Sequence, residues 1–169
     1  MKLLVVVCVL AVASTEMVMK GYPKPMTYIC NFSDDLCGFH SNITKLEWTA
    51  VSDKDGRYLK TEAKGDLDKS AVAISRCYSV TNHYLCLAFR YSITGSSDNK
   101  MTIQQKGGDK SQVWSSATSS LNKGWIEEKI AVSLLPLQRK TQFVFTAFLG
   151  GKPGNSVSID DVTLIPSTC

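Results

Sequence analysis

The chain has 169 residues, of which 44% are hydrophobic and 20% are charged, and its formal net charge is +4. This balance is typical of a single globular domain and excludes a disordered or collagen-like chain. The charge is too small to indicate nucleic-acid binding, and no run of 18 apolar residues that would span a membrane follows the N-terminus.

The N-terminal residues predict a secretory signal peptide. Lys2 supplies a positive start, residues 3–13 form an apolar run of eleven residues, and Ala13 completes a small-x-small cleavage site. The alternatives, an uncleaved anchor or a buried helix, are disfavoured on the length of the run. Cleavage after Ala13 predicts a secreted protein in which residues 14–29 form a linker or extended arm.

The rest of the chain has the pattern of a β protein. Apolar residues alternate with polar or small ones over residues 85–93 and 128–134, and residues 142–148 are aromatic and β-branched. Residues 157–164 predict another strand, whose alternation slips at Asp160, as at a β-bulge. Shorter strands are predicted over residues 57–61, 71–75, 100–105 and 112–115. Turn residues separate these segments, which indicates an antiparallel sandwich or barrel.

The cysteines indicate disulfide bonds with one cysteine left over. Cys8 lies in the predicted signal peptide, so five cysteines remain in the mature chain. An oxidising compartment favours pairing, and the odd number leaves one cysteine free or bound to another molecule. Two bridges among five cysteines allow 5 × 3 = 15 arrangements, and sequence alone does not choose among them. A zinc site is disfavoured because no CxxC pair occurs and the two histidines are isolated.

Several segments together resemble the MAM domain family, named after meprin, the A5 protein (neuropilin) and a receptor tyrosine phosphatase. The opening segment CNFSDDLCGF, residues 30–39, is similar to the start of that domain, although Ser33 stands where the family usually has glutamate. The other matching landmarks are Trp48, GRYL at 56–59, CLAFRY at 86–91 followed by Gly95, Trp114, Trp125, FVF at 143–145 with Gly150, IDDV at 159–162, and the terminal Cys169. The resemblance therefore covers residues 30–169.

The resemblance implies a jelly-roll β-sandwich, all-β and antiparallel, over residues 30–169. It also implies two disulfides, Cys30–Cys37 and Cys86–Cys169, which leaves Cys77 unpaired. Some MAM proteins, meprins among them, link subunits through an extra cysteine, so Cys77 is expected either to join two chains in a homodimer or to remain a buried reduced thiol.

Two kinds of site are predicted from short motifs. Asn31 and Asn42 each begin an N-glycosylation sequon, and Asn42 is favoured because Asn31 lies inside a tight cysteine loop. Asp34, Asp35 and Asp160 are candidate calcium ligands, because hard cations prefer several carboxylate oxygens. The alternative for Asp160 is a hydrogen bond to backbone amides that fixes the end of a strand. Apart from this calcium candidate, no cofactor is predicted.

The predicted function is binding rather than catalysis. GxSxG and HExxH motifs are absent, and adjacent Glu127 and Glu128 would point to opposite faces of a strand. The family serves adhesion and receptor ectodomains, so we expect a free-standing secreted domain that binds an extracellular protein or a second copy of itself. One alternative is a glycan-binding module, in which exposed tryptophans would stack on sugar rings, although tryptophans beside apolar neighbours more often belong to a core. Another is a secreted effector, of the venom or saliva type, that acts on a host protein.

Overall fold

A computed structural model describes residues 26–42, 46–54, 56–65, 70–80, 83–106, 112–134 and 140–169. The predicted signal peptide and residues 14–25 of the predicted arm lie outside this part of the chain, so these two predictions stay untested. Within the described residues, no helix has the length and apolar character needed to cross a membrane.

The described residues form two antiparallel β-sheets that pack face to face. Their strands are β1 (Tyr28–Cys30), β2 (His40–Asn42), β3 (Thr49–Asp53), β4 (Gly56–Glu62), β5 (Ser70–Ile74), β6 (Tyr78–Ser79), β7 (Tyr84–Thr94), β8 (Lys100–Lys106), β9 (Gln112–Ser115), β10 (Ile126–Ser133), β11 (Lys140–Phe148) and β12 (Ser156–Ile165). A 3-10 helix, Thr118–Ser120, lies between β9 and β10. The first sheet has the order β10-β7-β12-β4-β3, with β1 also paired to β12. The second has the order β2-β5-β11-β8-β9, with β6 also paired to β11.

The core lies between the two sheets and is rich in aromatic side chains. In β7, every second residue from Leu85 to Ile93 is buried, which follows from the two-residue period of a strand. Phe145 of β11 is fully buried, and its ring centroid lies 5.6 Å from that of Phe39 and 6.1 Å from that of Phe89. Burial of each such ring stabilises the fold by about 2 kcal/mol or more, so these contacts hold the two sheets together.

The predicted all-β sandwich with two disulfides is confirmed. Each of the eight predicted strands is present, and the register of β12 against β7 shifts between Asp160 and Thr163, as the predicted bulge requires. The short strands β1, β2, β3 and β6 were not predicted. Tyr28 and Ile29, assigned to the arm, instead form β1 with Cys30, because pairing to β12 supplies the hydrogen bonds that this short segment lacks alone.

The structure contains the disulfide pairs that the family resemblance implies. Cys30 and Cys37 have their Cα atoms 5.9 Å apart and close a small loop. Cys86 of β7 is bonded to Cys169, 83 residues later, which ties the C-terminal residues to the first sheet. Cys77 is unpaired and exposed, so the alternative of a buried thiol is wrong.

Candidate functional site

The two predicted glycosylation sites are both exposed. The side-chain oxygen Oδ1 of Asn31 accepts a hydrogen bond from the backbone N–H of Ser33 at 3.2 Å, so this sequon forms a tight local turn. Asn42 ends β2, and residues 43 and 44 of its sequon lie outside the described part of the chain. Glycosylation of Asn31 and Asn42 stays a prediction.

The three candidate calcium ligands do not form one metal-binding group among the described residues. Asp34 and Asp35 lie exposed in the Cys30–Cys37 loop, and Oδ1 of Asp35 accepts the backbone N–H of Cys37 at 2.5 Å. Asp160 is buried and bound to Arg90. Across the described ranges, no group of three or more His, Cys, Asp or Glu side chains is arranged to hold a metal ion. The structure therefore does not join Asp34, Asp35 and Asp160 into one cluster, and calcium binding stays a prediction.

An arginine on the outer face of the first sheet holds both aspartates of the bulge. The Nη2 atom of Arg90 lies 2.8 Å from Oδ2 of Asp160, and its Nε atom lies 2.8 Å from Oδ2 of Asp161. Consecutive strand residues normally point to opposite faces. Here the bulge, with Asp161 at a φ of 49°, brings both carboxylates to one cation.

Two aromatic residues complete this cluster. The guanidinium carbon of Arg90 lies 5.3 Å from the centre of the Trp125 ring, which is a cation–π distance. Tyr58 meets the same ring edge to face, with 5.2 Å between centroids. Arg90 was not predicted as a site residue, because nothing in its own segment marks a partner 70 residues away.

Burial sets the protonation behaviour of the ion pair. Burial of the Asp160 carboxyl raises its pKa, and the backbone N–H of Asp161 and the guanidinium of Arg90 oppose that rise. A raised pKa in the folded state means that the folded protein holds this proton more tightly than the unfolded chain. The contribution of Asp160 to the free energy of unfolding is therefore fully present at low pH, where the carboxyl is protonated in both states. It decreases as the pH rises from the ordinary pKa of an aspartate through the raised pKa of the folded protein.

Replacement of Arg90 is expected to leave Asp160 as an uncompensated buried charge. We expect Arg90→Met to lower the free energy of unfolding by about 2 kcal/mol, less than for a fully buried pair because the Arg90 side chain is 31% exposed. Urea denaturation measures this change. The control is Lys60→Met, which breaks the more exposed Lys60–Glu62 pair and costs less than about 1 kcal/mol. Equal losses in the two variants would contradict a role for Arg90 in compensating the buried charge of Asp160.

The tryptophans pack against neighbours rather than forming an open platform. Trp48 is buried, in agreement with its predicted place in the core. Trp114 is half-buried and meets Phe89 and Tyr91 edge to face, with centroids 5.2 and 5.0 Å away. Trp125 is half-buried against Arg90 and Tyr58. Among the described residues, Tyr84 is the one aromatic side chain in the exposed class.

Three exposed apolar side chains lie together on the outer face of the first sheet. Ile29 of β1 is 73% exposed, Ile165 of β12 is 37% exposed and Tyr84 of β7 is 52% exposed. Ile29 is paired with Thr163 and Ile165 with Cys86, so Ile165 is a diagonal cross-strand neighbour of both Ile29 and Tyr84. We call Ile29, Tyr84 and Ile165 the outer-face patch.

A comparison against family models agrees with the sequence motifs, with the β-sandwich and with the two disulfides. The model of the MAM domain, meprin/A5/mu, matches residues 30–169. The chain belongs to the MAM domain family. MAM domains are non-catalytic and occur in extracellular proteins, so this chain contains an extracellular adhesion-type module. A sequence comparison with curated proteins gives no significant match.

Solved structures similar to this MAM domain include carbohydrate-binding and adhesin domains. A xylanase 10B chain of Clostridium thermocellum, with its family 22 carbohydrate-binding module, has a TM-score of 0.62 at 11% identity, with 85% of this chain and 29% of that chain covered. An adhesin domain of Lys-gingipain from Porphyromonas gingivalis has a TM-score of 0.61 at 10% identity, with 84% of this chain and 99% of that chain covered. The xylan-binding domain of a Paenibacillus barcinonensis protein has a TM-score of 0.56 at 9% identity, with 86% of this chain and 97% of that chain covered. This chain therefore spans 29% of the xylanase chain's length. At these identities, the likeness shows the fold alone.

Proposed function

We propose that this MAM domain is a secreted, non-catalytic module that binds another protein in the extracellular space through the outer-face patch. The observation that carries the proposal is the exposure of Ile29, Ile165 and Tyr84 on three neighbouring strands. Apolar side chains grouped in this way lose contact with water when a partner docks, and aromatic residues are enriched in protein interfaces.

The strands below the patch form a rigid support. β12 pairs with β7 on one edge and with β1 and β4 on the other, so it is held from both sides. The Cys86–Cys169 disulfide lies beside Ile165, because Cys86 is the cross-strand partner of that residue. A surface that is already ordered loses little conformational entropy on binding, which favours affinity.

The alternative function, glycan binding, has less support from the side chains. Sugar rings stack on an open aromatic face, whereas Arg90 lies over the Trp125 ring and Tyr58 packs against it. Trp114 is packed against core aromatics, and Tyr84 stands without a second exposed aromatic residue among those described. The apolar character of Ile29 and Ile165 favours a protein partner.

A lysine at the centre of the patch is expected to weaken binding. We expect Ile165→Lys to lower the affinity for extracellular matrix and cell surfaces by about tenfold or more, because docking would bury an unpaired ammonium group. Binding of fluorescent, multimerised domain to these surfaces measures the effect. The matched control is Gln104→Lys, which adds the same charge at an exposed position of β8 in the second sheet and leaves the affinity unchanged.

The same assay separates the two candidate functions. Binding that is lost after protease treatment of the surfaces, and that Ile165→Lys weakens, supports the protein partner. Binding that survives protease but not glycosidase, or a strong signal on a glycan array that Ile165→Lys leaves unchanged, contradicts it.

A further inference from the structure

Strand β10 forms one edge of the first sheet. Among the described strands it pairs with β7 alone, and each of its 8 residues has a partner in that ladder. Glu127, Lys129, Ala131 and Ser133 are all exposed. An edge strand of this length is a template on which another strand can pair when its backbone groups are accessible.

The odd-numbered residues of β10 direct their backbone groups away from β7. The register of the ladder continues to Leu134, whose N–H donates to the carbonyl of His83 at 2.8 Å. Hydrogen-bonded pairs alternate along an antiparallel ladder, so the even-numbered residues bond to β7 and the odd-numbered ones face the edge. The N–H of Lys129 accordingly donates to Oε1 of its neighbour Glu128 at 3.3 Å. Glu127 and Lys129 therefore offer backbone donors and acceptors to an incoming strand.

The charges of β10 are complementary to those of a second copy. When two β10 strands pair antiparallel about a two-fold axis, residues on the same face lie opposite each other. Centring the axis on Glu128 sets each Glu127 against Lys129 of the other copy. Centring it on Glu127 or on Lys129 sets like charges against each other, which is unfavourable. Centring it on any other residue of the strand gives neither charge an oppositely charged partner.

The register centred on Glu128 also extends the core. Ile126 and Ile130 are half-buried and pack against the core cluster, and this register sets each Ile126 against Ile130 of the other copy. Opposed apolar side chains stabilise a strand pair, and each Glu127–Lys129 pair exchanges two backbone hydrogen bonds. The two Glu128 side chains meet at the axis, and their like charges oppose association.

We propose that β10 is a self-association edge, through which two copies of the domain pair antiparallel about Glu128 and form one continuous sheet. The same residues contribute from both copies, as in a closed two-fold dimer. Odd-numbered residues face outward in both copies, so the two outer-face patches lie on the same side of the dimer. Such a dimer binds a surface bivalently. This last consequence rests on the proposed function, whereas the pairing of β10 does not.

Charge reversal tests the pairing. Sedimentation velocity measures the dimer at concentrations up to about 0.5 mM, with Cys77 alkylated in every sample so that no disulfide joins two copies. We expect Glu127→Lys and Lys129→Glu each to raise the dissociation constant about tenfold or more, because both pairs then oppose like charges. An equimolar mixture of the two variants restores the dimer, since every such contact between the two different chains again joins lysine to glutamate.

The control variant is Ile165→Lys, which adds a positive charge to the outer-face patch and leaves the dissociation constant of the dimer unchanged. A protein that sediments as a monomer throughout this range overturns the proposal, as does a mixture no more dimeric than either variant alone. Failure of the patch to bind a partner would not change these results, so the two proposals fail separately.

Amide hydrogen exchange of the unmodified protein gives a second test, which needs no substitution. We expect the N–H groups of Glu127 and Lys129 to exchange several times more slowly in a concentrated sample than in a dilute one, because pairing gives them carbonyl partners. The N–H groups of Ile126, Glu128 and Ile130 already bond to β7, so they serve as the control. No change at Glu127 and Lys129, or an equal change at all five positions, contradicts pairing through this edge.

Discussion

Replacing both Cys86 and Cys169 by alanine is expected to lower the free energy of unfolding by about 4.5 kcal/mol. This disulfide joins residues that are 83 apart, so it removes many conformations from the unfolded chain. It also holds the C-terminal residues, which would otherwise fray at the end of β12. Guanidinium denaturation measures the loss as a lower midpoint. The double replacement leaves no new unpaired thiol that would form other bridges.

The control is the matching replacement of Cys30 and Cys37. Their separation is seven residues, and closing so short a loop stabilises the fold by about 2.5 kcal/mol in the same chain-entropy treatment. We expect the variant without the Cys86–Cys169 bond to have the lower free energy of unfolding of the two. If loss of the Cys30–Cys37 bond costs as much as loss of the Cys86–Cys169 bond, loop closure is not the main source of stabilisation.

Gly95→Ala is expected to lower the free energy of unfolding by about 3 kcal/mol, from backbone strain together with lost hydrogen bonds. Gly95 has a φ of 108°, and a methyl group there would overlap Oδ1 of Asn155. That oxygen accepts the backbone N–H of Ser96 at 3.0 Å, and Nδ2 of Asn155 donates to the carbonyl of Gly150. Each buried group of this asparagine left unpaired costs about 1–3 kcal/mol.

Gly154→Ala separates strain from the clash. Gly154 also has a positive φ, 88°, but no heavy atom lies within 4 Å of the position that its methyl group would take. We expect a loss of about 1 kcal/mol, from the left-handed backbone alone. Thermal denaturation of both variants measures the difference. A loss in Gly154→Ala as large as that in Gly95→Ala would contradict a role for Asn155 in joining the loops around Ser96 and Gly150.

Much of the fold was predictable because its signals are local. The alternation over residues 85–93 follows from one face of β7 lying in the core, and the slip at Asp160 marks a real bulge. The disulfide pairs are a different case, because the spacing of five cysteines is compatible with many pairings. The resemblance to the MAM family implied the two pairs that the structure contains.

The candidate sites depended on contacts between distant segments. Arg90 meets Asp160 and Asp161 only because β7 pairs with β12, and the bulge turns both carboxylates to one side. The outer-face patch was equally hidden, because Ile29 was assigned to an arm without secondary structure. The exposed side chain of Ile29 joins the patch only because β1 pairs with β12.

The sequence by itself determined eight of the strands, the position of the bulge and the family. These depend on the order of apolar and polar residues and on short motifs, which are properties of each segment alone. Only the tertiary structure decided that Cys77 is exposed and that Ile29, Tyr84 and Ile165 lie on one face of the first sheet. The physical reason is that strand pairing brings together residues far apart in the chain, and the choice of partners depends on the free energy of the whole sandwich.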